Sequence, residues 1–243
     1  KIIMEILAII PARGGSKGLP GKNIRNLLDH PLISYSILAA IKSPSINRVV
    51  VSTDDKETAR IAKQYKAEVP VLRPSKYAQD LSSDFEVLNH MLGWLKTNEN
   101  YKPDYVIQLR PTSPVRKSNH IEESIKKFIK SDCDSLRIVT EAPLTPFKMW
   151  TINDFNKPMI PLINDNKIIE PYNQARQKLP VKYWQIGYLD VIKYETIIDG
   201  KSVSGNKILP FFVEKDYAID IDNLDDFNRA ELFIKNTDCI KYD

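Results

Sequence analysis

Cysteine is nearly absent from this 243-residue chain, with Cys133 and Cys239 its only two. Two thiols cannot build a disulfide framework, and a reducing cytoplasm is the compartment that suits such a chain. Histidine is as scarce, at positions 30, 90 and 120. No Cys/His cluster therefore has zinc-ligand spacing, and no Ser-His-Asp or Cys-His set can be assembled. Long apolar runs are missing as well. The opening KIIMEILAII passes after about ten residues into a Pro-Ala-Arg-Gly-Gly turn, which reads as a buried strand rather than a secretory leader or a membrane span. There is no internal repeat or low-complexity tract. Net charge is only +4, and lysine and arginine are spread along the chain rather than gathered in a stripe, so nucleic acid is disfavoured as a partner.

Glycine is the telling scarcity: of eight in the chain, Gly14, Gly15, Gly18 and Gly21 fall within IPARGGSKGLPGKN, residues 10–23. Glycines let backbone N–H groups approach a ligand closely, and Arg13, Lys17 and Lys22 add positive charge that almost nothing acidic neutralises locally. The segment reads as a phosphate cradle, against the alternative of a solvated basic turn. It is not a P-loop, because five residues separate Gly15 from Gly21 and Asn23 stands where a magnesium-binding hydroxyl is needed. Nor is it a dinucleotide fingerprint, since Pro20 obstructs an immediate helix start.

Along the chain, short apolar runs alternate with amphipathic stretches. Strands are predicted at 5–10, 48–52, 68–72, 105–109 and 135–140, with helices at 32–41, 55–66, 83–96 and 121–129. This is the pattern of an α/β protein with a doubly wound, mostly parallel sheet. Residues 142–200 differ in texture, with six prolines and no sustained period, and are predicted to form an inserted β-rich arm within a single domain spanning 1–243. A returning strand at 206–213 and a last helix at 225–236 follow, the latter burying Phe227, Ala230, Leu232 and Phe233.

Ligands of open α/β sheets bind beyond the carboxyl ends of the strands, and four polar clusters fall there. They are the opening loop, Thr53-Asp54, Arg110–Arg116 and Tyr217–Asp222. In RPTSPVR, Arg110, Thr112, Ser113 and Arg116 could offer donors to an anion, or the two prolines could simply stiffen a crossover. In AIDID, an extended backbone puts the Asp220 and Asp222 carboxylates on one face, which suits a hard cation such as magnesium completed by phosphate oxygens. The competing reading makes Asp222 the cap of the last helix. Lys148 and Arg176, in the irregular arm, matter only if the arm folds over the site of its own or a partner subunit.

These clusters, in this order, resemble those of the acylneuraminate cytidylyltransferases, or CMP-sialic acid synthetases. IPARGGSKGLPGKNI is similar to their nucleotide loop, RPTSPVR to their QPTSPLR segment and DIDNLDDFNRAE to their terminal metal-binding stretch. The resemblance implies a Rossmann-like nucleotidyltransferase in which CTP activates a nonulosonic, sialic-acid-like sugar acid, giving the CMP-sugar and pyrophosphate with Mg²⁺. On that footing Arg13, Gly14, Gly15, Ser16, Lys17, Lys22, Asn23, Arg73 and Ser83 would bind the nucleotide, and Asp220 and Asp222 the metal. Arg13 and Lys22 join the two aspartates as the catalytic set. Arg110, Thr112, Ser113, Lys148, Arg176 and Gln185 would face the sugar acid, and the arm would be exchanged in a homodimer. Two departures bear on the sugar: Arg110 stands where the family usually has Gln, and Ile186 where it has Asn. The alternatives are a 3-deoxy-octulosonic acid or a sugar phosphate as acceptor, or a nucleotide-binding protein without turnover, which the intact aspartate pair disfavours.

Overall fold

The apolar run at the start forms strand β1 (Ile6–Pro11). In the computed structural model, which describes residues 4–165 and 167–242, Ile6, Ala8 and Ile10 enter one core and Leu7 and Ile9 the other. A strand buried on both faces belongs at the centre of a sheet. Accordingly β1 pairs in parallel with β2 (Arg48–Ser52) on one side and β3 (Tyr105–Gln108) on the other. Strands β4 (Ser135–Glu141), β5 (Tyr183–Lys193) and β6 (Ile208–Phe212) complete a six-stranded sheet in the order β6-β4-β5-β3-β1-β2. All pairings are parallel except those of β5, which runs antiparallel to both neighbours.

Helices α1 (Leu32–Ile41), α2 (Lys56–Gln64), α4 (Ser118–Ile129) and α6 (Leu224–Asn236) feed the larger core, while α3 (Asp84–Glu99) and α5 (Tyr194–Ile198) pack on the opposite face. This is the doubly wound α/β arrangement. Three helix starts near the sheet's carboxyl edge are capped by side chains that satisfy orphan amides. Asp55 caps α2, Ser83 forms a capping box with Glu86 on α3, and Asn223 forms one with Asp226 on α6. Among the described residues no helix is long and apolar enough to cross a membrane.

Three sequence expectations change. Residues 68–72 form no strand, and only a bridge joins Glu68 to Val50, because Pro70 lacks a donor for further pairing. The stretch 142–200 divides in two. Its last third supplies β5, a strand inside the central sheet, and α5, so the irregular part is 142–182, whose described pairing is a two-residue ribbon between Trp150–Thr151 and Ile160–Pro161. In α6, Ile234 rather than Leu232 enters the core with Phe227 and Ala230, and Leu232 is exposed.

Candidate active site

The loop after β1 is shaped by close approaches that only glycine permits. A Cβ on Gly18 would lie 2.6 Å from the Asp222 carbonyl oxygen, and Gly21 adopts φ +66° before the short turn Lys22–Ile24. Gly14 donates its N–H to Asp54 at 3.0 Å. The Asn23 amide, buried beneath the loop, donates to the Arg13 carbonyl at 2.9 Å, so this residue braces the cradle from within.

The aspartate segment is tied down from two sides. Ile221 donates its N–H to the Thr112 carbonyl at 2.8 Å, while its own carbonyl accepts from Lys22 Nζ at 2.6 Å. Ile219 and Ile221 are buried and the alternating Asp220 and Asp222 are exposed, as an extended backbone requires. Asp222 does not cap α6, because Asn223 does. Its carboxylate instead stands 3.2 Å from Lys22 Nζ.

Three cavities converge on this pair. One, of about 470 Å³, is lined by Arg13, Ser16, Lys17, Lys22, Asn23, Arg73, Arg110, Thr112 and Asp222. A second, of about 970 Å³, holds both aspartates with Arg176, Trp184, Lys215 and Arg229. A third, of about 220 Å³, contains Ser113, Gln185 and Asp220. The sequence-derived site is thus largely assembled in one place. Lys148 is exposed on its turn and lines none of these three cavities, and Ser83 is engaged as the α3 cap while its neighbours Ser82 and Asp84 face the first cavity.

Arg73 is a buried cation with an incomplete set of partners. Only 4% of it is exposed and, among the described residues, its nearest carboxylate is Asp54 at 3.9 Å and its Nε has no hydrogen-bond partner. Burial pulls its pKa below the usual arginine value, with Asp54 opposing. A cation in that state is matched to an incoming anion.

The RPTSPVR loop resolves differently. Arg116 is fully buried and holds the loop together, donating to the Tyr188 and Arg110 carbonyls and to Ser36 Oγ. Burial pushes its guanidinium down to about 10, so it stays charged at neutral pH. Arg110 donates to Asp190 at 2.8 Å and Asp84 at 2.6 Å. Burial acts to lower its pKa, but the two carboxylates outweigh it and hold the guanidinium above its ordinary value. Its stem also lies 3.2 Å from where a Cβ on Gly187 would be, which accounts for glycine there.

The family model described as Cytidylyltransferase matches residues 7–178. The chain belongs to the cytidylyltransferase family. It is 32% identical over 232 residues, 93% of its length, to the N-acylneuraminate cytidylyltransferase of Escherichia coli O18:K1:H7, of which it covers 51%. It is 44% identical over 123 residues, 51% of its length, to the CMP-N,N'-diacetyllegionaminic acid synthase of Legionella pneumophila, of which it covers 53%. The chain thus spans about half the length of the first of these curated relatives, whereas the match to the second covers about half of both chains. In fold it is similar to a CMP:2-keto-3-deoxy-manno-octonic acid synthetase solved with CTP, with a TM-score of 0.70 at 14% identity, covering 95% of this chain and 98% of that one.

In this member of the cytidylyltransferase family, the acidic residues that organise the cations were not legible in the sequence. Asp80 contacts Arg13 at 2.9 Å and also pairs with Lys17. Asp190, fully buried on β5, pairs with both Arg110 and Arg137. An aspartate inside the apolar run YLDVI, residues 188–192, was the available signal for the second. For Asp80, in an ordinary polar loop, the sequence offered none. Lys215 and Arg229 of the large cavity were also missed.

Proposed function

We propose that this enzyme transfers the cytidylyl group of CTP to the anomeric hydroxyl of a nonulosonic acid, releasing pyrophosphate. The observation that carries the reading is the meeting of two cavities at one aspartate pair: a cationic one built on the opening loop, and a larger one bearing Arg176, Lys215 and Arg229. A nucleotide on the first side and a sugar acid on the second would meet where Asp222 belongs to both. Attack on the α-phosphorus moves negative charge onto the departing pyrophosphate, and Arg13, Lys17 and Lys22 offer positive charge to offset it. Arg73 adds a cation that has already lost its hydration. The arginines of the larger cavity suit the carboxylate of the acceptor, which a guanidinium binds through two parallel hydrogen bonds.

Asp220 and Asp222 are the residues that would hold Mg²⁺. Among the described residues no group of three or more His, Cys, Asp or Glu could enclose a metal. Two open carboxylates beside a phosphate cradle are the small protein share that magnesium takes, with phosphate and water oxygens supplying the rest. When bound, the ion supplies charge neutralisation at the phosphate oxygens.

The test is a panel of sugar acids with CTP, read as pyrophosphate release, with ATP, UTP and GTP as controls. Release is expected with CTP and N-acetylneuraminic or a legionaminic acid. Release with 3-deoxy-octulosonic acid but no nonulosonic acid would overturn the assignment.

The reading extends to a homodimer in the cytoplasm. Both cysteines are free. Residues 144–184 expose Phe155 at 91% and Ile169 at 84%, along with Leu144, Ile160 and Leu162, more apolar surface than one segment ordinarily leaves in water. Asp substitutions at Phe155 and Ile169 together are expected to halve the mass measured by light scattering. An unchanged mass would remove these residues from the interface.

A further inference from the structure

We infer that Asp80 is a built-in competitor for the phosphates, holding Arg13 and Lys17 between turnovers, yielding them to the incoming triphosphate and taking them back as pyrophosphate leaves. The inference rests on the nucleotide reading of the opening loop. Its ground is that the two cations expected to grip the triphosphate are already bonded to one carboxylate on a different segment, 63 residues beyond Lys17 in sequence number (80 minus 17). Those cations hold Asp80 well below the usual carboxylate range, Lys17 most of all.

Exposure makes the contact exchangeable. Lys17 is 81% exposed and Asp80 41%, and ion pairs in water are weak and screened by salt. A polyphosphate brings several charges against the single one of Asp80 and displaces it. Once phosphate occupies the cradle, the carboxylate must withdraw from like charge. The loop permits this. Asp80 and the 96%-exposed Leu81 sit at the tip of a turn closed by the Ser82 N–H to the Gln79 carbonyl and by the Gln79 N–H to Ser82 Oγ, so the backbone is held while the half-exposed Asp80 side chain can rotate into solvent. Asp190 makes the contrast. It is fully buried between arginines and permanent.

The consequence is selective. Ligands that reach Arg13 and Lys17 must displace Asp80, and pyrophosphate, which would otherwise stay on a bare cationic loop, is released more readily. Asp80→Asn in the full chain keeps the side chain's shape and removes its charge. Titration calorimetry with pyrophosphate and with CTP, magnesium chelated, is expected to show both binding about tenfold more tightly than to the unaltered protein, the gap closing in roughly molar salt. Asp80→Glu is expected to restore the original affinities. A loop that Asp80 merely stabilised would bind these anions less well once altered, so equal or weaker binding by Asp80→Asn overturns the inference. Absence of binding by both proteins overturns the cradle reading itself, and the inference with it.

Discussion

Asp222→Asn is expected to lower turnover about a thousandfold while CTP binding changes by no more than a fewfold. The replacement is isosteric, and what holds this stretch in place is backbone. The Asp222 carbonyl sits against Gly18, the Ile221 amide donates to Thr112, and the α6 cap belongs to Asn223 and Asp226. None of these contacts needs the second carboxylate oxygen. What is lost is one of two open charges at the junction of the nucleotide and acid cavities. Removing a single preorganised charge-stabilising group from such a site costs about two to three orders of magnitude in turnover. Arg13, Lys17 and Arg73 remain to bind the triphosphate. The measurement is magnesium-dependent pyrophosphate release alongside a direct CTP titration. Near-normal turnover would sink the metal assignment, and loss of CTP binding would show that Asp222 serves the cradle through Lys22 instead.

The parts of this site legible in sequence were those where local pattern and global position coincide. β1 is apolar at every position because each face of it enters a different core. The aspartate pair was legible for a related reason: Ile219 and Ile221 must be buried, which turns Asp220 and Asp222 outward together. What escaped depended on contacts distant in sequence. β5 carries Gln185, Gly187 and Asp190 amid apolar residues, and its pairing shifts register between Arg137 and Val139, whose partners are Asp190 and Gln185. Its polar positions hid a central strand inside a proline-rich stretch. The segment 68–72 has the β propensity of a strand but lacks the hydrogen bond that Pro70 cannot donate, so only the Glu68–Val50 bridge forms. Arg110, read as facing an acceptor, could be placed only once its partners on α3 and β5 were known.

That placement makes Asp190→Ala the largest stability effect expected in the molecule. Asp190 is fully buried and pairs with Arg137, 7% exposed in its side chain, and with Arg110, 23% exposed. Deleting it strands the Arg137 guanidinium in the interior without a carboxylate and leaves Arg110 with Asp84 alone. Breaking a buried ion pair from one side costs about 3–5 kcal/mol, because the remaining charge keeps its desolvation penalty and loses its attraction. For a chain of this length each kcal/mol shifts the melting temperature by roughly 2–4 °C, so a fall of roughly 10 °C is expected in calorimetry. Replacing Asp190 by Leu and Arg137 by Met together should recover much of that loss, since the two most deeply buried charges go together and Arg110 keeps Asp84. Arg110→Gln is the milder change, because Asp190 keeps Arg137, and its cost should be about 1–3 kcal/mol. Its effect on catalysis would arise through geometry. Arg110 joins Asp84 at the start of α3 to β5, and its backbone begins the loop whose Thr112 carbonyl positions the aspartate segment. If Asp190→Ala melts within a couple of degrees of the unaltered protein, Arg110 is not held by β5, and its guanidinium is free to meet a carboxylate brought by the sugar acid.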